Sequence, residues 1–170
     1  KNLIELVKSS KEDLPPIYCD MDQVLCDFIG GAEKVIGMPF PQANKDERWE
    51  KIKQTKDFWA NLEWMPNAKK LYQFISRYDT KILSAASERD ATSRSGKYKW
   101  LGKNTKIKRS DTNLVKRADK QKFATTDGKP NILIDDYLKN IREWETKGGI
   151  GVHHTNVSKT ISELKRLGFK

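Results

Sequence analysis

The residues with the clearest capacity for chemistry are three acids, Asp20, Asp22 and Asp27, which follow the short apolar run Ile17-Tyr18-Cys19. Side chains alternate along an extended chain, so Asp20 and Asp22 fall on one side of it while Met21 points away. Two carboxylates that close repel unless a cation, a shared proton or hydrogen bonds compensate. Taken alone, an Asp-x-Asp pattern is as readily a solvated acidic turn. A second acidic pair, Asp135-Asp136, changes the balance because it too ends an apolar run, Ile132-Leu133-Ile134. Two strands that end in carboxylates, separated by helical patterns, predict one Mg2+ site at the carboxyl edge of a parallel sheet. Mg2+ prefers oxygen ligands and is commonly held by one or two carboxylates and substrate phosphate. Ser84 closes a third run, Lys81-Ile82-Leu83, and Lys116, Lys120 and Lys122 precede the second acidic pair. A carboxylate nucleophile, a second carboxyl for proton transfer, a hydroxyl, a lysine and a metal together suit phosphoryl transfer.

The elements that must position these residues follow from the apolar spacing. Leu3, Ile4, Leu6 and Val7 suggest a short amphipathic stretch, and Leu14-Pro15-Pro16 forces an extended entry into the first strand. Phe28 to Ile36 reads as a helix ended by Gly37, and residues 42–56 as a charged helix around Trp49 and Ile52. Ala68 to Tyr78 carries Leu71, Tyr72, Phe74 and Ile75 on one helical face and leads into a strand over Thr80–Leu83. Lys97–Leu101 is expected to be a short helix, with a short strand near Ile107 and partly helical structure from Asn113 to Ala124. A turn at Asp127–Pro130 precedes the strand that ends at the acidic pair. Leu138–Trp144 reads as a helix stopped by Gly148-Gly149, Ile150–Val152 as the last strand, and Lys159–Leu167 as a closing helix capped by Ser158. This alternation predicts an α/β fold with a Rossmann-like parallel sheet.

On the quoted motifs the chain resembles the haloacid dehalogenase (HAD) superfamily of phosphatases: Asp-Met-Asp-Gln-Val from Asp20, Leu-Ser-Ala around Ser84, a lysine near 120, and Ile-Asp-Asp ending at Asp136. Within that superfamily it is most similar to the 5'(3')-deoxyribonucleotidases, through the blocks Cys19–Phe28, Asp57–Ala68, Ser95–Leu101, Arg117–Lys120 and Asn131–Asp136. The resemblance spans Ile17 to Tyr137. It implies a HAD-like core over 1–27 and 67–170, with a small helical cap over 28–66 inserted after the first strand. It also implies a Mg2+-dependent phosphomonoesterase that hydrolyses ribo- or deoxyribonucleoside monophosphates through an aspartyl-phosphate. Asp20 would be the nucleophile, Asp22 the general acid and then base, Ser84 a hydrogen-bond donor to the phosphoryl oxygens, and Lys120 their counter-charge. Lys122 is the alternative to Lys120. The metal would be held by Asp20, the backbone carbonyl of Asp22 and Asp136, with Asp135 in support. Lys97, Ser84 and Ala85 would meet the substrate phosphate, and Phe28 would stack on the base. Trp49, Phe58, Trp59 and Trp64 are read as the cap's own core. Two departures from the family pattern stand out: Gln23 where glycine is common, and Ser84 where threonine is usual.

Composition bounds the partners. A charge of +10 is concentrated in residues 91–122, where eleven Lys/Arg face only Asp111 and Asp119, a net +9. Such a field attracts phosphate-bearing substrates, with nucleic-acid ends as an alternative, or is simply a solvated face. No apolar run approaches a membrane span, and the first residues lack the apolar core of a signal peptide, so the expectation is a cytoplasmic enzyme without a membrane partner. A homodimer is compatible with the sequence. A HAD-like binding module without turnover is the non-enzymatic alternative; the retained Asp20, Asp22 and Ser84 argue against it. Cys19 and Cys26 are expected to be packed free thiols. Neither Gly148–Gly151, which lacks the lysine and hydroxyl of a phosphate loop, nor His153 and His154 are assigned chemistry.

Overall fold

The computed structural model describes residues 13–170; the amphipathic stretch with Leu3, Ile4, Leu6 and Val7 lies outside them. Its centre is a five-stranded parallel sheet, ordered β3-β2-β1-β6-β7 among the described residues. The strands are β1 (Ile17–Cys19), β2 (Thr80–Ala85), β3 (Thr112–Val115), β6 (Ile132–Asp135) and β7 (Ile150–His153), with β4 (Thr125–Thr126) and β5 (Lys129–Pro130) forming a separate antiparallel hairpin. Ile132, Leu133 and Ile134 are fully buried, each by an amount that contributes about 1.5–3 kcal/mol. A central parallel strand is covered on both faces, which is why it reads as an unbroken apolar run.

Alternation sorts the strand side chains into two layers. Ile17, Cys19, Ile82, Ile132 and Ile134 share one core cluster with Leu71, Ile75, Trp100 and Leu164. Tyr18, Leu83 and Leu133 face the opposite side, against Ile141 and Trp144. The covering helices are therefore α3 (Ala68–Ile75), α4 (Thr92–Asn104) and α6 (Val157–Arg166) on the first face, and α5 (Leu138–Thr146) on the second. Between β1 and α3 lie α1 (Phe28–Ile36), a 3₁₀ turn (Phe40–Gln42) and α2 (Lys45–Gln54). The two ends of this inserted segment are tied together, with Asp27 N donating to Glu63 O at 2.8 Å and Met65 N to Leu25 O at 2.7 Å. Among the described residues no helix is long and apolar enough to cross a membrane.

Three local expectations are corrected. The third strand is Thr112–Val115, not a segment near Ile107, and Asn113–Val115 is therefore extended; helical structure begins only with the 3₁₀ stretch Arg117–Phe123. This edge strand buries only Thr112 and Leu114, so half of its apolar signal is missing. α4 begins five residues before Lys97. Asn156, rather than Ser158, caps α6, its side chain accepting from Lys159 N at 2.9 Å. The stop after α5 is as expected, with Gly148 at φ 93°, a left-handed conformation that glycine adopts without steric cost.

Candidate active site

Sheet register sets the site. Cys19 pairs with Ile134 on one side and with Ile82 on the other, so Asp20 and Asp135 leave adjacent strands at the same level. Asp20 N extends the ladder, donating to Ile134 O at 3.0 Å. Carboxyl ends of parallel strands are where ligands gather in open α/β sheets. Oxygens of Asp20, Asp135 and Asp136 all lie within 4.8 Å of one another.

Lys120 lies buried against this cluster, its Nζ 3.1 Å from Asp20 Oδ1 and 2.8 Å from Asp135 Oδ2. Burial alone would lower the ammonium's pKa, but Asp20 and Asp135 outweigh it and raise it above the ordinary lysine value. The alternative, Lys122, pairs instead with Asp119 at 3.1 Å on the surface. Asp135 is fully enclosed: Oδ2 accepts from Lys120 and from Asn140 Nδ2 (3.0 Å), and Oδ1 from Tyr137 N (2.9 Å). Its pKa is raised by burial and by Asp20, against the opposing pull of Lys120. Asp136 is half-buried, and burial, then Asp20 and Asp135, push its carboxyl up to about 7. The raised carboxyls reflect the crowding: once all three acids ionise, one lysine leaves two negative charges uncompensated. A hard divalent cation fits both that deficit and the all-oxygen donor set.

A second lysine serves the other acid. Lys97 Nζ, buried, donates to Asp22 Oδ2 at 2.9 Å and to Ser84 Oγ at 3.1 Å. The same ammonium lies 5.3 Å from the centre of the Trp59 ring. Burial raises the Asp22 carboxyl, with Lys97 pulling it down and Asp20 pushing it up. The two pairs share a pattern. Asp22 Oδ1 is buried without a hydrogen-bond partner. In Asp20 both contacts, from Met21 N and Lys120, fall on Oδ1, leaving Oδ2 without a donor among the described residues. Each acid thus has one oxygen fixed by a lysine and one oxygen without a donor.

The turn that carries Asp22 also accounts for Gln23. Its φ is 61°, the left-handed region that favours glycine. The glutamine side chain compensates: Oε1 accepts from Ile29 N at 2.8 Å, which ties the turn to the start of α1. Asp27, the third acid of the run, is not part of the cluster. It caps α1 by accepting from Gly30 N at 2.9 Å.

Asp22 opens into a cleft of about 660 Å³, lined by Phe28, Trp49 and Trp59 on one wall and by Ala85 and the loop after β2 on the other. Phe28 stacks on Trp59 (5.2 Å between centroids, 11° between planes) and on Trp49 (5.9 Å, 26°). Its ring is therefore part of an aromatic wall rather than an isolated platform. Trp59 is anchored by Nε1, which donates to Asp90 Oδ2 at 2.8 Å.

Two residues outside the sequence reading complete the support. Asn140 Oδ1 accepts from Arg117 Nη1 at 2.9 Å, and Arg117 also pairs with Glu143 at 3.0 Å. Asn140 therefore joins Asp135 to this surface network. Its place one helical turn after the acidic pair was the available signal. Asn140→Ala strips a buried carboxylate of one donor, and the expected cost is about 1–3 kcal/mol, read as a lower denaturant midpoint with unchanged slope.

No family model matches the sequence, and no curated protein does. Solved structures do match, at low identity. A dehalogenase aligns at 15% identity over 94% of this chain and 99% of its own, with a TM-score of 0.55. A hydrolase from Streptococcus pneumoniae TIGR4 aligns at 11% identity over 89% and 98%, with a TM-score of 0.54. A HAD family hydrolase from Deinococcus radiodurans R1, with bound phosphate and sodium, aligns at 14% identity over 91% and 88%, with a TM-score of 0.53.

Proposed function

The chain has the HAD-like α/β fold, and we propose that it is a Mg2+-dependent phosphomonoesterase acting on ribo- or deoxyribonucleoside monophosphates. The observation that carries this reading is the pair of acids, each held by a buried lysine at one oxygen and without a donor at the other. A binding module without turnover has no use for two such oxygens. The phosphate bound to the Deinococcus radiodurans relative is compatible chemistry in the same fold.

Asp20 Oδ2 attacks the substrate phosphorus and forms the aspartyl-phosphate as the ester P–O bond breaks. Asp22 gives a proton to the departing ester oxygen. The raised pKa of its carboxyl favours the protonated form this step needs. The deprotonated Asp22 then takes a proton from water, which attacks the phosphorus and releases phosphate and free Asp20. Lys97, braced by Ser84 Oγ, orients Asp22, and the ammonium and the hydroxyl offer donors to the phosphoryl oxygens, with Ala85 on the adjoining wall. Lys120 holds Asp20 Oδ1 and so fixes the direction of the carboxylate. Mg2+, when bound, supplies positive charge against the phosphoryl oxygens. Asp20 and Asp136 would hold it, with the Asp22 carbonyl as a further ligand; Asp135, its oxygens engaged by Lys120, Asn140 and Tyr137, supports from behind. The aromatic wall of Phe28, Trp49 and Trp59 suits a nucleobase, whose faces stack on such rings.

Hydrolysis of a chromogenic phosphomonoester with Mg2+ tests the chemistry, and a panel of ribo- and deoxyribonucleoside monophosphates tests the substrate class. Absence of turnover on the first defeats the enzymatic reading. Turnover of the first without preference for any nucleotide defeats only the second.

Metal binding is expected to depend on pH. The raised Asp136 pKa means that the metal-free folded chain holds a proton that the unfolded chain has released. Its contribution to metal-free stability is therefore largest below the ordinary carboxylate range and is lost as pH rises toward 7. A cation competes with that same proton. Apparent Mg2+ affinity should rise by up to about tenfold per pH unit below that value and flatten above it. Titrations followed by tryptophan fluorescence on both sides of the value check this.

A further inference from the structure

The lining of the cleft is rich in basic residues. Lys45 and Arg48 come from α2, Arg89 from the loop after β2, and Lys116 and Arg117 from the segment after β3. Two of these are already committed, Arg89 to Asp46 at 2.9 Å and Arg117 to Glu143. Lys45, Arg48 and Lys116 make no ion pair among the described residues. On the acidic side of the lining, Asp22 is taken by Lys97, which leaves Glu88 against three uncommitted cations.

Arg48 is the best defined of the three. Its guanidinium carbon lies over the Phe40 ring, 4.0 Å from the centroid, and Nη1 donates to Phe40 O at 2.9 Å. Nε is buried and has no partner. An arginine fixed by a ring and a carbonyl, without a carboxylate, keeps planar donors in place for an anion at little entropic cost. A cleft of about 660 Å³ is of a size that holds a whole small ligand rather than one phosphate group.

We infer that Lys45, Arg48 and Lys116 form a second anion subsite, which binds a phosphate group of the substrate other than the one transferred. This rests on the reading of the Asp20 side as the phosphoryl-transfer end. The preferred substrate class is then a nucleotide with two separate phosphate groups. The second group is either a monoester, as in a nucleoside bisphosphate, or a diester, as at the end of an oligonucleotide.

Equilibrium binding to D20N protein with Mg2+ tests this without turnover. The probes are one deoxynucleoside as its 5'-monophosphate, as its 3',5'-bisphosphate, and as a 5'-phosphorylated dinucleotide. At least one of the last two should bind about tenfold or more tighter than the monophosphate, with the margin shrinking as ionic strength rises. The margin should collapse in D20N/K45Q/K116Q, whose two added changes are at exposed positions and remove no hydrogen bond. A gain for the bisphosphate alone assigns a free nucleotide; a gain for the dinucleotide assigns a nucleic-acid end. Equal affinity for all three, or a margin untouched by K45Q/K116Q, overturns the subsite. Should the wild-type protein fail to hydrolyse a chromogenic phosphomonoester while the margin persists, the phosphatase reading falls and the subsite stands. Robust hydrolysis with no margin has the opposite meaning.

Discussion

Asp20→Asn is expected to lower phosphomonoester turnover by about 10⁴-fold or more, the scale seen when a covalent nucleophile is removed. The substitution preserves shape. Asn can still accept the hydrogen bond from Met21 N at its oxygen, and Lys120 keeps its pair with Asp135. A near-normal unfolding transition alongside lost activity would place the defect in chemistry. Activity within tenfold of wild type would instead remove Asp20 from the role of nucleophile.

Lys120→Met should act on stability as well. The ammonium is buried between Asp20 and Asp135; without it three clustered acids share a site with no protein cation. Breaking a buried ion pair from one side costs about 3–5 kcal/mol. Part of that loss should return on lowering the pH, which neutralises the acids, and part on adding Mg2+. Thermal unfolding of the variant with and without Mg2+, at neutral and at mildly acidic pH, measures both. A melting temperature equal to wild type without metal would contradict the electrostatic account.

What could be read in advance followed burial. β1 and β6 are central strands, so each appears as an apolar run, and the acids at their ends mark the sheet edge. Their shared register brings Asp20 beside Asp135. The edge strand β3 was misplaced because alternate residues of Thr-Asn-Leu-Val are only half-covered. α4 shows a different failure. Its buried face is Ser93, Gly96, Lys97, Trp100 and Leu101, a regular helical spacing, but three of the five residues carry no apolar signal. Periodicity counted on apolar residues alone misses such a face. The lysine that contacts Asp22 sits in its middle. Asp27, similar to its neighbours in the sequence, lies outside the acidic cluster and instead accepts from Gly30 N, which makes it a cap.

The two walls of the cleft are fastened unequally. Trp59 is bonded to Asp90 and packed so closely on α4 that a methyl group at Gly96 would come within 2.5 Å of its Cβ. Across the mouth, the polar link among the described residues from α2 to the loop after β2 is the ion pair of Asp46 with Arg89, both exposed, a type of contact that contributes under about 1 kcal/mol. α2 itself is packed through Trp49 against Phe28 and Trp59, so breathing of the mouth is expected where α2 meets the loop after β2, about the laced ends of the segment. On the proposed function, an outward swing of that helix would carry Lys45 and Arg48 with it and open the side by which product is expected to leave.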